Sequence, residues 1–171
     1  GVRPTSQRAR EALFNILRHG DYCTTKGMLP LGAMVIDAFA GSGALGLEAL
    51  SRGADHVTFF EKNKEVADIL RLNTEHLNAT SVVSILLRDV TIPGPAINKA
   101  PANLVLMDAP HGSGFTPAAL AALDQSGWLA TECVAVAEIA SKEVIKPPAG
   151  FIETDSRHYG AARLVFFRKS S

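Results

Sequence analysis

The stretch "VIDAFAGSGALGLEALSRGADHVTFFEKN", Val35–Asn63, decides how the rest of the chain is read. A short apolar run (Ala33–Phe39) contains Asp37 and leads into glycines 41, 43 and 46, spaced G-x-G-x-x-G. Ala44–Ser51 is rich in Ala and Leu and suits a helix, and His56–Glu61 is a second strand-like run. Glycines placed directly between a strand and a helix allow a tight turn and let backbone N–H groups approach a ligand closely.

Outward from this unit the alternation continues. Lys64–Leu77 carries Val66, Ile69, Leu70 and Leu77 at helical spacing. Ser81–Leu87, Asn103–Asp108 and Cys133–Ile139 read as further strands, and Pro117–Leu123 as a helix. Phe151–His158 and Ala162–Arg168, separated by Tyr159-Gly160-Ala161, read as a hairpin that adds an antiparallel member at one edge. Strands alternating with helices predict a parallel sheet with helices on both faces, and the nearly continuous apolar strands fit burial on both sides. Ahead of the sheet, Ser6–Arg18 sets Ala9, Ala12, Leu13, Ile16 and Leu17 on one stripe, with Arg8, Arg10 and Arg18 on the polar face. The composition between Gly20 and Gly32 is loop-like, and Ile92–Pro101 is too proline-rich for a regular helix.

The 171 residues lie within the range of one domain, taken as 1–171. Basic and acidic residues number 17 each, so net charge argues neither for nor against a nucleic-acid partner; patches decide that. Cys23 and Cys133 lack any metal-ligand or redox spacing and read as reduced thiols of a cytoplasmic protein. No apolar run approaches the roughly 20 residues of a membrane helix, no signal peptide is evident, and no metal site is expected. The first residue, Gly1, falls within what reads as a motif, so upstream residues are expected to be missing.

Glu61 ends the second strand 20 residues after Gly41, where a carboxylate can accept hydrogen bonds from both hydroxyls of a ribose. Two ligands use such a frame. A dinucleotide rests its pyrophosphate on the helix N-terminus. S-adenosylmethionine has no phosphate, but an ammonium, a carboxylate, a sulfonium and an adenosine. Asp37 favours the second ligand, because a carboxylate there repels pyrophosphate and suits an ammonium. Asp89, after the third strand, is an acceptor for an adenine amino group. The candidates for holding the donor are Asp37, Phe39, Gly41, Ser42, Gly43, Glu61, Lys62, Asp89, Val90 and Asp108.

"VRPTSQRAREALFNIL" (Val2–Leu17), Val35–Asn63, "MDAPHGSGF" (Met107–Phe115) and "RHYGAARLVFF" (Arg157–Phe167) occur in that order. Together they resemble the bacterial 16S ribosomal RNA guanine-N2 methyltransferases, the RsmD family. The resemblance implies a Rossmann-like class I methyltransferase: a seven-stranded, mostly parallel sheet with the last strand antiparallel. It further implies S-adenosylmethionine as donor, a guanine amine of 16S RNA or the small ribosomal subunit as acceptor, and a helix within residues 1–20 lying over the site. The oligomer expected is a monomer. Family members usually carry a basic segment ahead of the Arg3-Pro-Thr-Ser stretch, and it is absent here.

The family's Asp-Pro-Pro-Tyr is Asp108-Ala109-Pro110-His111 in this chain. A guanine amine is a poor nucleophile because its lone pair is delocalised into the ring. Two acceptors on its N–H bonds, the Asp108 carboxylate and the Ala109 carbonyl, orient it and favour a pyramidal nitrogen. Replacing proline by Ala109 releases φ and adds an N–H that needs a partner, while Pro110 still biases Ala109 toward extended geometry. His111 presents a smaller face than tyrosine for stacking on the base. These four residues are the catalytic candidates. Arg3, Thr5, Ser6 and Arg8 are the substrate candidates, and Arg3, Arg8 and Arg10 as a group the candidate RNA contact, since the arginine fork suits phosphate. Phe14 and Asn15 are further candidates for the donor pocket, with Phe14 read equally as core; Trp128 and Phe115 fall near the acceptor side by order, but read first as packing residues. Competing readings are methylation of another amine such as adenine N6, a donor-binding protein that has lost catalysis through Ala109 and His111, and an NAD-dependent oxidoreductase, which Asp37 argues against.

Overall fold

The computed structural model describes residues 7–97, 100–110 and 114–170. The elements in chain order are α1 (Gln7–His19), β1 (Cys23–Thr24), β2 (Gly27–Met28), β3 (Met34–Asp37), α2 (Ala44–Ser51), β4 (His56–Glu61), α3 (Lys64–His76), β5 (Val83–Leu87), β6 (Ala102–Met107), α4 (Phe115–Gln125), β7 (Leu129–Ala140), β8 (Phe151–Tyr159) and β9 (Ala162–Lys169). β1 and β2 form a small antiparallel hairpin in the stretch read as loop.

The other seven strands form one sheet in the order β5-β4-β3-β6-β7-β9-β8. β3, β4, β5, β6 and β7 are mutually parallel, and β9 runs antiparallel to both β7 and β8. The closing hairpin therefore does not set its antiparallel strand at the edge. β9 inserts beside β7 and leaves β8 outermost, because β9 is the apolar partner: Leu164, Val165, Phe166 and Phe167 are all buried, whereas most of β8 is exposed. The chain moves outward from β3 to β5 and then crosses back to β6, so the carboxyl ends of β3 and β6 flank the point where the strand order reverses. That is where open α/β sheets bind ligands.

Alternation along the strands feeds two cores. Leu104, Leu106, Val134 and Val136 face Leu13, Phe14 and Leu17 of α1, Leu45 and Ala49 of α2, and Leu70 of α3. Val105, Met107, Ala135 and Ala137 face Ala119, Leu120 and Leu123 of α4, together with Trp128. On this second face the proline-containing segment after β5 covers part of the sheet. Trp128 Nε1 donates to the Gly94 carbonyl at 2.8 Å, and Arg88 donates to the Pro93 carbonyl at 2.7 Å. Phe14 is fully buried beneath the Arg52 guanidinium, so it is a core residue and not a lining of the donor pocket. Asn15, the other candidate there, is exposed.

β7 begins earlier than its apolar run suggests. Its register to β6 shifts between Ala102↔Leu129 and Leu104↔Val134, and the bulge holds Glu132 at φ 62°. A bulge of this kind bends the strand and hides its two-residue period.

Gly46 shows what the third glycine of the motif is for. A Cβ there would sit 2.4 Å from Phe59 Cε1 and 2.9 Å from Val57 Cγ1, in a fully buried part of the core. Gly46→Ala is expected to destabilise the fold by about 1–3 kcal/mol through overpacking. A thermal melt would show this as a fall of roughly 2–4 °C per kcal/mol, and an unchanged melting temperature would contradict the close-packing role.

Candidate functional site

The carboxyl end of β3 delivers Asp37 into the crevice, and the glycine loop folds back over it. Gly41 and Gly43 have φ of 56° and 90°, values that only glycine adopts cheaply. A Cβ on Gly41 would meet no atom within 4 Å, so the loop borders open space at that point.

Asp37 is 1% exposed. Its Oδ2 accepts from the Gly46 N–H at 3.0 Å, which ties the end of β3 to the first turn of α2. Its Oδ1 is buried with no hydrogen-bond partner among the described residues; the neighbouring Phe39 N–H lowers the pKa slightly without reaching hydrogen-bond geometry. Burial pushes the carboxyl up to about 8, the Gly46 hydrogen bond opposes this, and the charges of Asp108 and Glu61 add to the rise. Three carboxylates thus lie close enough to feel one another around the ends of β3, β4 and β6.

Glu61 braces the glycine loop. Its Oε1 accepts from the Gly41 N–H at 3.0 Å, and its Oε2 from the Asn63 N–H at 2.9 Å. Asn63 in turn caps α3 by accepting from Val66 N–H at 3.0 Å, and Asn73 of α3 donates to the Ser42 carbonyl at 3.1 Å. A carboxylate has about four lone-pair sites, so roughly two remain for a ligand after these two bonds.

Asp108 stands half-buried just beyond β6, followed by buried Ala109 and exposed Pro110. Asp89 is exposed. Its Oδ1 accepts from both the N–H and the hydroxyl of Thr91, at 2.9 and 2.7 Å, and these bonds hold its carboxyl below the usual range. Val90 is 2% exposed within the α4-side core, so a ligand would meet its backbone and not its side chain. Phe39 is half-buried against the same core, and Ser42 is exposed.

The fold brings Asp37, Phe39, Gly41, Ser42, Gly43, Glu61, Lys62, Asp89, Val90 and Asp108 to one end of the sheet. Phe115 belongs with them, as its order in the sequence suggests, although packing is its first reading. It is 39% exposed at the start of α4, with the Lys62 ammonium 5.5 Å from its ring centroid. Gly114, left-handed at φ 72°, begins α4 at Phe115 and so sets the ring at the crevice. Trp128 is core, 2% exposed. Of the substrate candidates Arg8 is exposed on α1, while Arg10 pairs with Glu48 of α2 at 3.8 Å. Arg3, Thr5, Ser6 and His111 lie outside the described residues. Among the described residues no group of three or more His, Cys, Asp or Glu could hold a metal, and no helix is long and apolar enough to cross a membrane.

Residues 1–168 match the family described as "Conserved hypothetical protein 95". The chain is 36% identical over 138 residues to ribosomal RNA small subunit methyltransferase D of Escherichia coli (strain K12), covering 81% of this chain and 64% of that protein. It is 34% identical over 137 residues to the protein of the same name from Haemophilus influenzae, covering 75% of this chain and 63% of that protein. The matched stretch thus spans a little under two thirds of each relative. The solved structure of yhhF from Escherichia coli superposes with a TM-score of 0.81 at 30% identity, covering 99% of this chain and 88% of that one. Sequence order, sheet topology and these likenesses agree that the chain belongs to the Conserved hypothetical protein 95 family, the RsmD family.

Proposed function

We propose that the chain transfers a methyl group from S-adenosylmethionine to the exocyclic N2 amine of a guanine in 16S ribosomal RNA. The observation that carries this reading is the buried Asp37 oxygen that no described residue satisfies, at the mouth of a crevice it shares with Glu61 and Asp108. A buried carboxyl that a bound cation would ionise, beside the Glu61 and Asp108 carboxylates, disfavours a pyrophosphate and favours a ligand bearing an ammonium and a sulfonium. The donor supplies an electrophilic methyl carbon on positively charged sulfur.

The chain's own residues position the rest. Asp37 would hold the ammonium, the spare lone pairs of Glu61 the ribose diol, and Asp89 the adenine amine, while the space above Gly41 admits the ligand close to backbone. Asp108 and the Ala109 carbonyl would each accept one N–H of the acceptor amine, aiming the nitrogen lone pair along the methyl–sulfur axis. Such alignment can supply about 7–11 kcal/mol of the barrier. The amine loses its proton after attack, to Asp108 or to water, so no strong base is needed. His111 would stack on the base, and base–aromatic stacking is worth ~1–3 kcal/mol.

Calorimetry with the donor, transfer of tritiated methyl to small-subunit RNA, and mass mapping of the methylated nucleotide test this in sequence. Heat without transfer would leave a donor-binding protein, and label on adenine N6 would displace the guanine assignment. Glu61→Gln would turn an amide N–H toward the Gly41 or Asn63 donor. It is expected to weaken donor binding about 10- to 100-fold, the worth of hydrogen bonds to a charged group. Calorimetric affinities equal to the parent's would remove Glu61 from the ribose site.

A further inference from the structure

The crevice is acidic, yet the proposed acceptor is a polyanion. This conflict has a structural answer on the far side of β7. β7 ends at Ala140, β9 starts at Ala162 and β8 ends at Tyr159, all at the same end of the sheet as Asp108, and the registers Ile139↔Arg163 and Arg163↔His158 set these residues side by side. With about 5 Å between neighbouring strands, Arg163 on β9 lies roughly 10 Å across the sheet from the strand carrying Asp108.

This corner is built, and it carries Lys142, Arg157 and Arg163. The Arg163 guanidinium donates to Ser156 Oγ at 2.9 Å and to the Glu143 carbonyl at 2.5 Å, both neutral oxygens, and no ion pair among the described residues includes it. Ser141 Oγ and His158 Nδ1 lie 2.7 Å apart, which fastens the segment after β7 to β8. Lys142 is exposed and in no ion pair among the described residues. Arg157 is 53% exposed and pairs with Asp155 at 3.1 Å; the other acidic side chains near it are half-buried Glu143 and Glu138, which is buried on β7 and aligned with Arg157 across Leu164. Arg157 stands toward Tyr22 and Tyr159 on the α1 side, while Arg163 and His158 bond to groups of the opposite side. Lys142 and Arg163, in no ion pair among the described residues, and Arg157, paired with Asp155, therefore stand around the tip of the hairpin.

We propose that Lys142, Arg157, His158 and Arg163 form a shelf that holds the phosphodiester backbone of the acceptor RNA. The proposal rests on the RNA reading above. The net charge of zero hides a division: carboxylates gather where the cationic donor enters, and cations gather beside them on the acceptor side. Phosphates are repelled from Glu61 and Asp108 and settle on the shelf, and only the uncharged base crosses to Asp108. Backbone contacts of this kind fix register and carry no base information.

The test measures binding of a labelled small-subunit RNA transcript between 50 and 200 mM salt for the parent and for a Lys142→Glu/Arg157→Glu double variant. The variant is expected to bind at least tenfold more weakly. Its log–log salt slope should be flatter by about one to two, at ~0.7–0.9 for each phosphate that is no longer neutralised. Donor affinity by calorimetry should be unchanged, since neither side chain reaches the crevice. A Lys142→Ala/Arg157→Gln variant, gentler on the fold, should show the same changes to a smaller degree. If the parent binds the transcript and both variants match it in affinity and slope, the shelf is overturned while the RNA reading stands. If the parent binds no RNA at any salt, the RNA reading falls and the shelf with it.

Discussion

Asp108→Ala is expected to reduce methyl transfer by about 10²-fold or more, the scale on which loss of a positioned reactant acts, a larger loss than any in donor affinity. The carboxylate stands beyond β6, whereas the glycine loop is held through Asp37, Glu61, Asn63 and Asn73. Its removal leaves the donor side assembled and takes away one of two acceptors for the incoming amine. Single-turnover transfer with donor and RNA both saturating is the decisive measurement, because it separates positioning from binding. The loss should sit in kcat and not in KM. Turnover equal to the parent's would deny Asp108 any part in the chemistry. Asp108→Asn keeps the shape but offers an N–H where a lone pair is wanted, so it should fall nearly as far.

Asp37→Asn should move stability and binding in opposite directions. Its carboxyl is pushed up to about 8, chiefly by burial and then by the charges of Asp108 and Glu61, from an ordinary value of 3.8. The folded protein therefore holds a proton that the unfolded chain releases. The stability tied to that proton is fully present below about pH 4 and is lost as pH rises toward 8. Asparagine is neutral throughout, so Asp37→Asn should melt near the parent at about pH 4 and above it at about pH 8.5, by several degrees at roughly 2–4 °C per kcal/mol. Donor affinity at the higher pH should fall by more than about tenfold, since a neutral amide cannot balance an ammonium in a buried site. Parallel melts across pH with calorimetry at each point would decide it. A variant less stable than the parent at alkaline pH, or one that keeps full donor affinity, would show that the charge on Asp37 is not held for a ligand. Strain of this sort is a recurring mark of sites that are kept for function.

The parts of the fold that the sequence makes legible are those where local chemistry and tertiary demand coincide. α2 and β4 fall where the Ala/Leu run and the apolar HVTFFE run place them, because the glycines before α2 and Gly53 after it fix both ends by backbone geometry. β1 and β2 have two residues each, too few for any period to show. The early start of β7 is masked by the Glu132 bulge, which puts exposed Thr131 and Glu132 into what would otherwise be a buried run. The position of β9 is a choice of pairing partner, and the hairpin pattern is the same whichever strand lies outermost. In the site, Asp37, Gly41 and Glu61 are readable because each answers a stated chemical need at a fixed distance along the chain. Phe14 stays open between core and pocket because a helix stripe does not say how deeply an aromatic residue meets the sheet, and its burial decides for the core. Phe115 is placed near the acceptor side by order, but its exposure is not legible because it depends on where Gly114 starts α4.

The hydrogen bond from Trp128 to Gly94 has a practical consequence. Trp128 is the chain's single tryptophan, its ring is edge-on to Phe60 at 5.2 Å, and its indole N–H clasps the segment that follows Asp89. Its intrinsic fluorescence is therefore a label-free reporter of whether that segment is seated on the sheet. A red-shifted emission would signal a water-exposed indole and an unseated adenine side of the crevice, readable in the unmodified protein during titration with a nucleoside.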